Sequence, residues 1–151
     1  MPLTREEAFP LVEMLQDIGY RASFHEDGGS AIESRMSGLG ILIFYTPGRS
    51  LQFFCGVSLT KLPKFGLVEA NNANRKFRFA KFYIDDEGDL ALEMDATFNV
   101  EREGAREDLE VLVSLFEGSL AVMKEEIASA SEGEQAEDPE ARENVETVDN
   151  S

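Results

Sequence analysis

Between residues 77 and 98 apolar and polar positions alternate with a period of two. Leu90, Leu92, Met94, Ala96 and Phe98 alternate with Asp89, Ala91, Glu93, Asp95 and Thr97, the pattern of a half-buried strand. Residues 77–85 form its partner across the acidic turn Asp86-Glu87-Gly88-Asp89. With Gly88 left-handed in a three-residue loop, Ile84 faces Leu90, Phe82 faces Leu92 and Ala80 faces Met94. The same register sets Lys81 opposite Glu93 on the outer face. Further strands are predicted over 22–26, 31–37, 41–46 and 51–57. Asp27-Gly28-Gly29-Ser30, Gly38-Leu39-Gly40 and Thr46-Pro47-Gly48-Arg49 separate them, the last with Pro and Gly at the central positions of a type II turn.

Helical spacing marks three other stretches. Thr4 and Glu7 have the form of a capping box ahead of Ala8, Leu11, Val12, Leu15 and Ile18, and Gly19 suits a left-handed C-terminal residue. Pro10 removes one helical hydrogen bond, so a kink or irregular first turn is expected there. Leu62-Pro63 opens a short helix to about Asn74, with Phe65 and Val68 on one side. A last helix runs from about Arg106 to Ala128. Leu109, Leu112, Val113, Phe116, Leu120, Met123 and Ile127 form its core stripe, and Val111, Leu115 and Val122 form a second, adjoining one. One sheet face is expected under helices and the other open.

The chain has 151 residues, 14 basic and 30 acidic, for a formal charge of −16 and a pI near 4.3. That balance argues against a generally basic phosphate binder and against a polybasic membrane anchor. Charge also divides the chain. Residues 129–151 hold eight acids against the single Arg142, a charge of −7, and only two large apolar residues, Val145 and Val148. Such a segment cannot bury enough surface to offset chain entropy, so 129–151 is predicted to be a disordered acidic tail beyond a domain of 1–128 carrying −9. The charged N-terminus lacks an apolar signal region, no apolar run approaches a membrane span, and the single Cys55 fits a reducing compartment. A cytoplasmic location is therefore expected.

The stretch Ala70-Asn71-Asn72-Ala73-Asn74-Arg75-Lys76-Phe77-Arg78-Phe79-Ala80-Lys81-Phe82-Tyr83-Ile84-Asp85 resembles the YbjN family of bacterial sensory transduction regulators. The likeness continues through Asp86 to Leu92-Glu93-Met94-Asp95. Asn74-Arg75 corresponds to the Asn-Arg pair closing the family's short helix. Ser50-Leu51-Gln52-Phe53-Phe54 and Gly19-Tyr20 extend the resemblance to about residues 4–128. The family often has Trp just before the Asn-Arg pair; this chain has Ala73 there and no Trp. The resemblance implies an α+β fold similar to type III secretion chaperones: an antiparallel sheet with N-terminal, middle and C-terminal helices, often in dimers. It implies a regulatory, chaperone-like, non-enzymatic protein-binding role, with protein partners or a second copy as the occupant.

Candidate chemistry adds little to that. His25 and Cys55 lie far apart along the chain, and Gly38-Leu39-Gly40 lacks the residues of a phosphate loop. Asp85, Asp86, Glu87 and Asp89 do not follow EF-hand spacing. No catalytic residue, metal or cofactor is expected. Two surfaces are. Val111, Leu115 and Val122 are the expected protein contacts. The alternative is single-stranded nucleic acid gripped by Arg75, Lys76, Arg78 and Lys81, with Lys61 and Lys64 nearby and Phe77, Phe79, Phe82 and Tyr83 interleaved.

Overall fold

The computed structural model describes residues 4–26, 29–58 and 65–136, with side chains described as far as 130. Helix α1 spans Arg5–Asp17. Its capping box is complete: the Glu7 N–H donates to Thr4 Oγ1 at 3.2 Å, and the Thr4 N–H donates to Glu7 Oε2 at 2.9 Å. The helix continues through the exposed Pro10 without a break. It ends at Gly19, whose φ is 100°. There the Tyr20 N–H donates to Leu15 O and the Gly19 N–H to Gln16 O, the paired bonds of a Schellman motif.

Six antiparallel strands follow: β1 (Ala22–Phe24), β2 (Ile32–Met36), β3 (Leu39–Thr46), β4 (Ser50–Val57), β5 (Ala80–Ile84) and β6 (Leu90–Thr97). They lie in the order β1-β2-β3-β4-β6-β5. Strand β3 begins earlier than expected. Ser37 takes φ 54° and Gly38 φ 78°, which makes a two-residue hairpin turn and frees Leu39 and Gly40 to pair with Met36 and Arg35. A left-handed serine is not visible in a sequence pattern. The Thr46–Arg49 turn forms as expected, with Gly48 at φ 72° and the Arg49 N–H donating to Thr46 O at 2.9 Å.

The β5–β6 hairpin has the expected register, including Ala80 opposite Met94, Phe82 opposite Leu92 and Ile84 opposite Leu90. Gly88 is left-handed at φ 85°, and Asp85 Oδ1 accepts the Glu87 and Asp89 N–H groups. Strand β5 itself starts only at Ala80.

Helix α2 is Leu67–Asn74, and α3 is Ala105–Ala136. The expected start of α2 at Leu62-Pro63 lies outside the described residues. Phe65 and Val68 do not share a side: Phe65 precedes the helix and is buried, Val68 is exposed, and α2 buries Ala70 and Ala73. Helix α3 runs eight residues beyond its expected end at 128, so 129–136 of the stretch expected as a disordered tail are helical, and the remainder, 137–151, lies outside the described residues. Its start is marked by Gly104 at φ 83°.

One core holds these parts together. The inward side chains of the sheet, among them Ile32, Ile43, Phe53, Leu92 and Phe82, meet Leu11 and Leu15 of α1 and Leu109, Phe116 and Leu120 of α3. Phe116 stacks on Phe53 with ring centroids 5.3 Å apart, which seats α3 over the middle of the sheet. Phe65 and Phe77 close on Phe82 from the α2 side, at 5.7 and 5.6 Å. The helices' buried apolar side chains join this one cluster, so among the described residues the opposite sheet face carries no helix. The result is an α+β fold.

Candidate functional site

The second stripe of α3 emerges beside the core stripe. At 100° per residue, Val111, Leu115 and Val122 fall on one line, roughly a third of a turn from Leu109, Phe116 and Met123. Val111 is 59% exposed. Leu115 and Val122 are half-buried, and Leu115 packs against the core edge. The line lies on the side of α3 that carries Glu126, whose carboxylate pairs with Lys76 just beyond α2 at 2.9 Å. Helix α2 packs against α3 and carries the exposed Leu67 and Val68. The other flank of α3 is polar and occupied: Tyr20 Oη donates to Glu117, and Lys124 Nζ donates to Ser37 O. Aliphatic surface is thus exposed on one flank of this helix and polar side chains tie down the other.

The basic–aromatic segment is spread over several environments. Lys76 is paired with Glu126, and Lys81 Nζ lies 3.2 Å from Glu93 Oε2. Glu93 also accepts Tyr83 Oη at 2.6 Å, a bond that, with some burial, pushes the Tyr83 hydroxyl up to about 12. Phe82 is buried and Phe77 half-buried, leaving Arg75, Arg78 and the 60%-exposed Phe79 facing water. Lys61 and Lys64 lie outside the described residues.

Asn74, of the Asn-Arg pair, has a structural task. Its side-chain Nδ2 donates to Phe82 O at 2.6 Å, and its Oδ1 accepts the Phe82 N–H at 2.7 Å. The amide thereby imitates a neighbouring strand on the outer edge of β5. At the opposite edge Gln16 Nε2 donates to Ala22 O at 2.9 Å. Each edge strand of the sheet therefore has a backbone group closed by a side-chain amide.

The residues weighed for catalysis are not assembled. Cys55 is buried on the inner face of β4, and burial pushes its thiol up to about 11. His25 stands at the end of β1, three strands away, with its Nε2 3.3 Å from Glu33 Oε1. That is about 14 Å at the usual strand spacing. Ligand atoms of Asp85, Glu87 and Asp89 lie within 4.8 Å of one another, but Asp85 already accepts two backbone N–H groups of its own turn. Among the described residues, no helix is long and apolar enough to cross a membrane.

Sequence reasoning passed over the open face of the sheet. Leu42, Phe44 and Phe54 point away from the helices there, with Phe44 42% exposed. Their outward positions follow from the inward Ile41, Ile43 and Phe53, so alternation alone could have found them.

The family model of YbjN, described as "putative bacterial sensory transduction regulator", matches residues 11–128. Among solved structures, the chain is similar to YbjN from E. coli, described as "a putative transcription regulator". The two share 15% identity and a TM-score of 0.57 over 87% of this chain and 96% of that one. It is also similar to the Yersinia pestis type III secretion chaperone SycH, solved in complex with a stable fragment of YscM2. That match has 16% identity and a TM-score of 0.48 over 77% of this chain and 98% of that one. No curated protein matches.

Proposed function

The chain belongs to the YbjN family, and from that premise we propose that it is a non-enzymatic, chaperone-like protein-binding module with a regulatory role. The observation that carries this reading is the flank of α3 on which Val111 is 59% exposed and Leu115 and Val122 are half-buried. An aliphatic line beside a completed core stripe gives a partner about 25 cal/mol for each Å² of apolar surface it covers. The occupant is another protein surface, either a second copy of the chain or a partner segment. The thiol of Cys55 is buried and three strands from His25, so these two do not form a nucleophile pair.

The basic–aromatic segment fits nucleic acid less well than this reading, because carboxylates pair with two of its four cations. The test is a pair of variants in the full chain. Val111→Asp alters an exposed position and keeps the fold, and Leu115→Asp, checked by circular dichroism, adds a charge at the stripe's centre. The expected result is loss of self-association in light scattering, or loss of a captured partner. Folded variants with unchanged oligomeric state and unchanged partners would defeat the reading.

A further inference from the structure

The open sheet face carries a second feature, at its β1–β2–β3 end. A cavity of about 520 Å³ is walled there by Arg21, Arg35, Glu33 and Leu42 and floored by Gly40. We propose that this cavity binds a small oxyanion, a phosphate ester or a carboxylate, between the guanidinium groups of Arg21 and Arg35.

The register brings the two arginines together. Ala22, the first residue of β1, pairs with Ser34, and the register carried one residue further sets Arg21 across from Arg35, with both lining the cavity. Like charges in that arrangement destabilise a strand pair unless an anion lies between them. It is an odd pairing in a chain of net charge −16, which has acids to spare. No described acid neutralises either one. Arg21 makes no hydrogen bond or ion pair among the described residues. Arg35 donates through Nη2 to Gly38 O at 2.7 Å, which fixes its guanidinium over the β2–β3 turn while its other N–H groups remain to donate.

The nearest carboxylate, Glu33, lines the same cavity and is already paired there with His25. It lies one row along the same face, with its Oε1 3.3 Å from His25 Nε2. Gly40 pairs with Arg35 in the next strand, and a Cβ built on it meets nothing within 4 Å. The floor beside the guanidiniums is therefore bare backbone with open space above it, bounded by the half-buried Leu42. Strands about 4.8 Å apart let both forks reach one anion, and Arg is the side chain whose planar donors match phosphate and carboxylate oxygens. The cavity falls within the range of small-ligand sites, about 300–1,000 Å³.

This site does not depend on the protein-docking reading, because α3 lies on the other side of the sheet. The test is titration of the full chain, followed by amide shifts in NMR, with inorganic phosphate in one arm and citrate in the other. The expected result is a saturable shift centred on residues 21, 35 and 40, stronger for the arm whose chemistry the site prefers. Arg21→Gln and Arg35→Gln should each weaken it about tenfold. Gly40→Leu fills the floor, keeps both arginines and takes no strained backbone, and it should abolish the shift. Arg49→Gln, at the distant β3–β4 turn, should leave it unchanged. No saturable shift from either anion would overturn the proposal. So would shifts that persist in Gly40→Leu and in the double arginine variant.

Discussion

Replacing Asn74 by Ala removes two hydrogen bonds at once, of 2.6 and 2.7 Å, from the backbone of Phe82. Phe82 is almost fully buried, and its N–H and C=O both point off the edge of the sheet. A backbone group left unsatisfied costs about 1–3 kcal/mol. Asn74 itself is exposed, so water reaches part of the vacated space and the lower end of that range applies to each group. Alanine's better helix propensity returns about 0.5 kcal/mol. The net loss is then about 1.5 kcal/mol, or about 4 °C in Tm for a chain of this size. Urea denaturation of the full chain measures it, with Asn72→Ala on the same helix as the control. Hydrogen exchange supplies a second reading. Asn74→Asp keeps an acceptor for the Phe82 N–H but cannot donate to its carbonyl. The Phe82 amide should therefore stay protected in the Asp variant and exchange freely in the Ala variant. An Asn74→Ala protein as stable as Asn72→Ala, with its Phe82 amide still protected, would refute the edge-closing role.

Two further predictions follow from the titratable groups. Tyr20 is raised to about 12, by burial first and then by its bond to Glu117, whereas tyrosine in an unfolded chain ionises near pH 10. A group whose folded value is raised contributes its stability below the unfolded value, so stability should decline between about pH 10 and 12. Tyr20→Phe should flatten that decline in pH-resolved denaturation, and an unaltered slope would contradict the assignment. Cys55, raised to about 11 by burial, should resist alkylation at pH 8 in the native protein and react as one thiol in denaturant; rapid native labelling would show that β4 opens.

Different parts of the fold were legible to different degrees. The β5–β6 hairpin could be read down to its register, because alternation, an acidic turn and Gly88 all specify the same pairing. The Met36–Leu39 turn could not. Two glycines around Leu39 look like a loop, and the left-handed Ser37 that shortens it carries no sequence signal. The core stripe of α3 followed from spacing, while the exposure of Val111 beside it depends on how far the sheet and α2 extend. Asn74 reads as one more polar residue near a helix end, since its bond to Phe82 exists only once α2 lies along β5. The juxtaposition of Arg21 and Arg35 likewise arises from strand register, fourteen residues apart in the chain.

On this reading the α3 flank, and not the open sheet face, receives another protein. Site-specific photo-crosslinking from position 111, compared with position 44 on the opposite face, tests it most directly. The expected result is a discrete protein adduct from position 111, to a second copy or to a partner, that disappears with Val122→Asp. Adducts from position 44 alone, or adducts from 111 indifferent to that substitution, would contradict it.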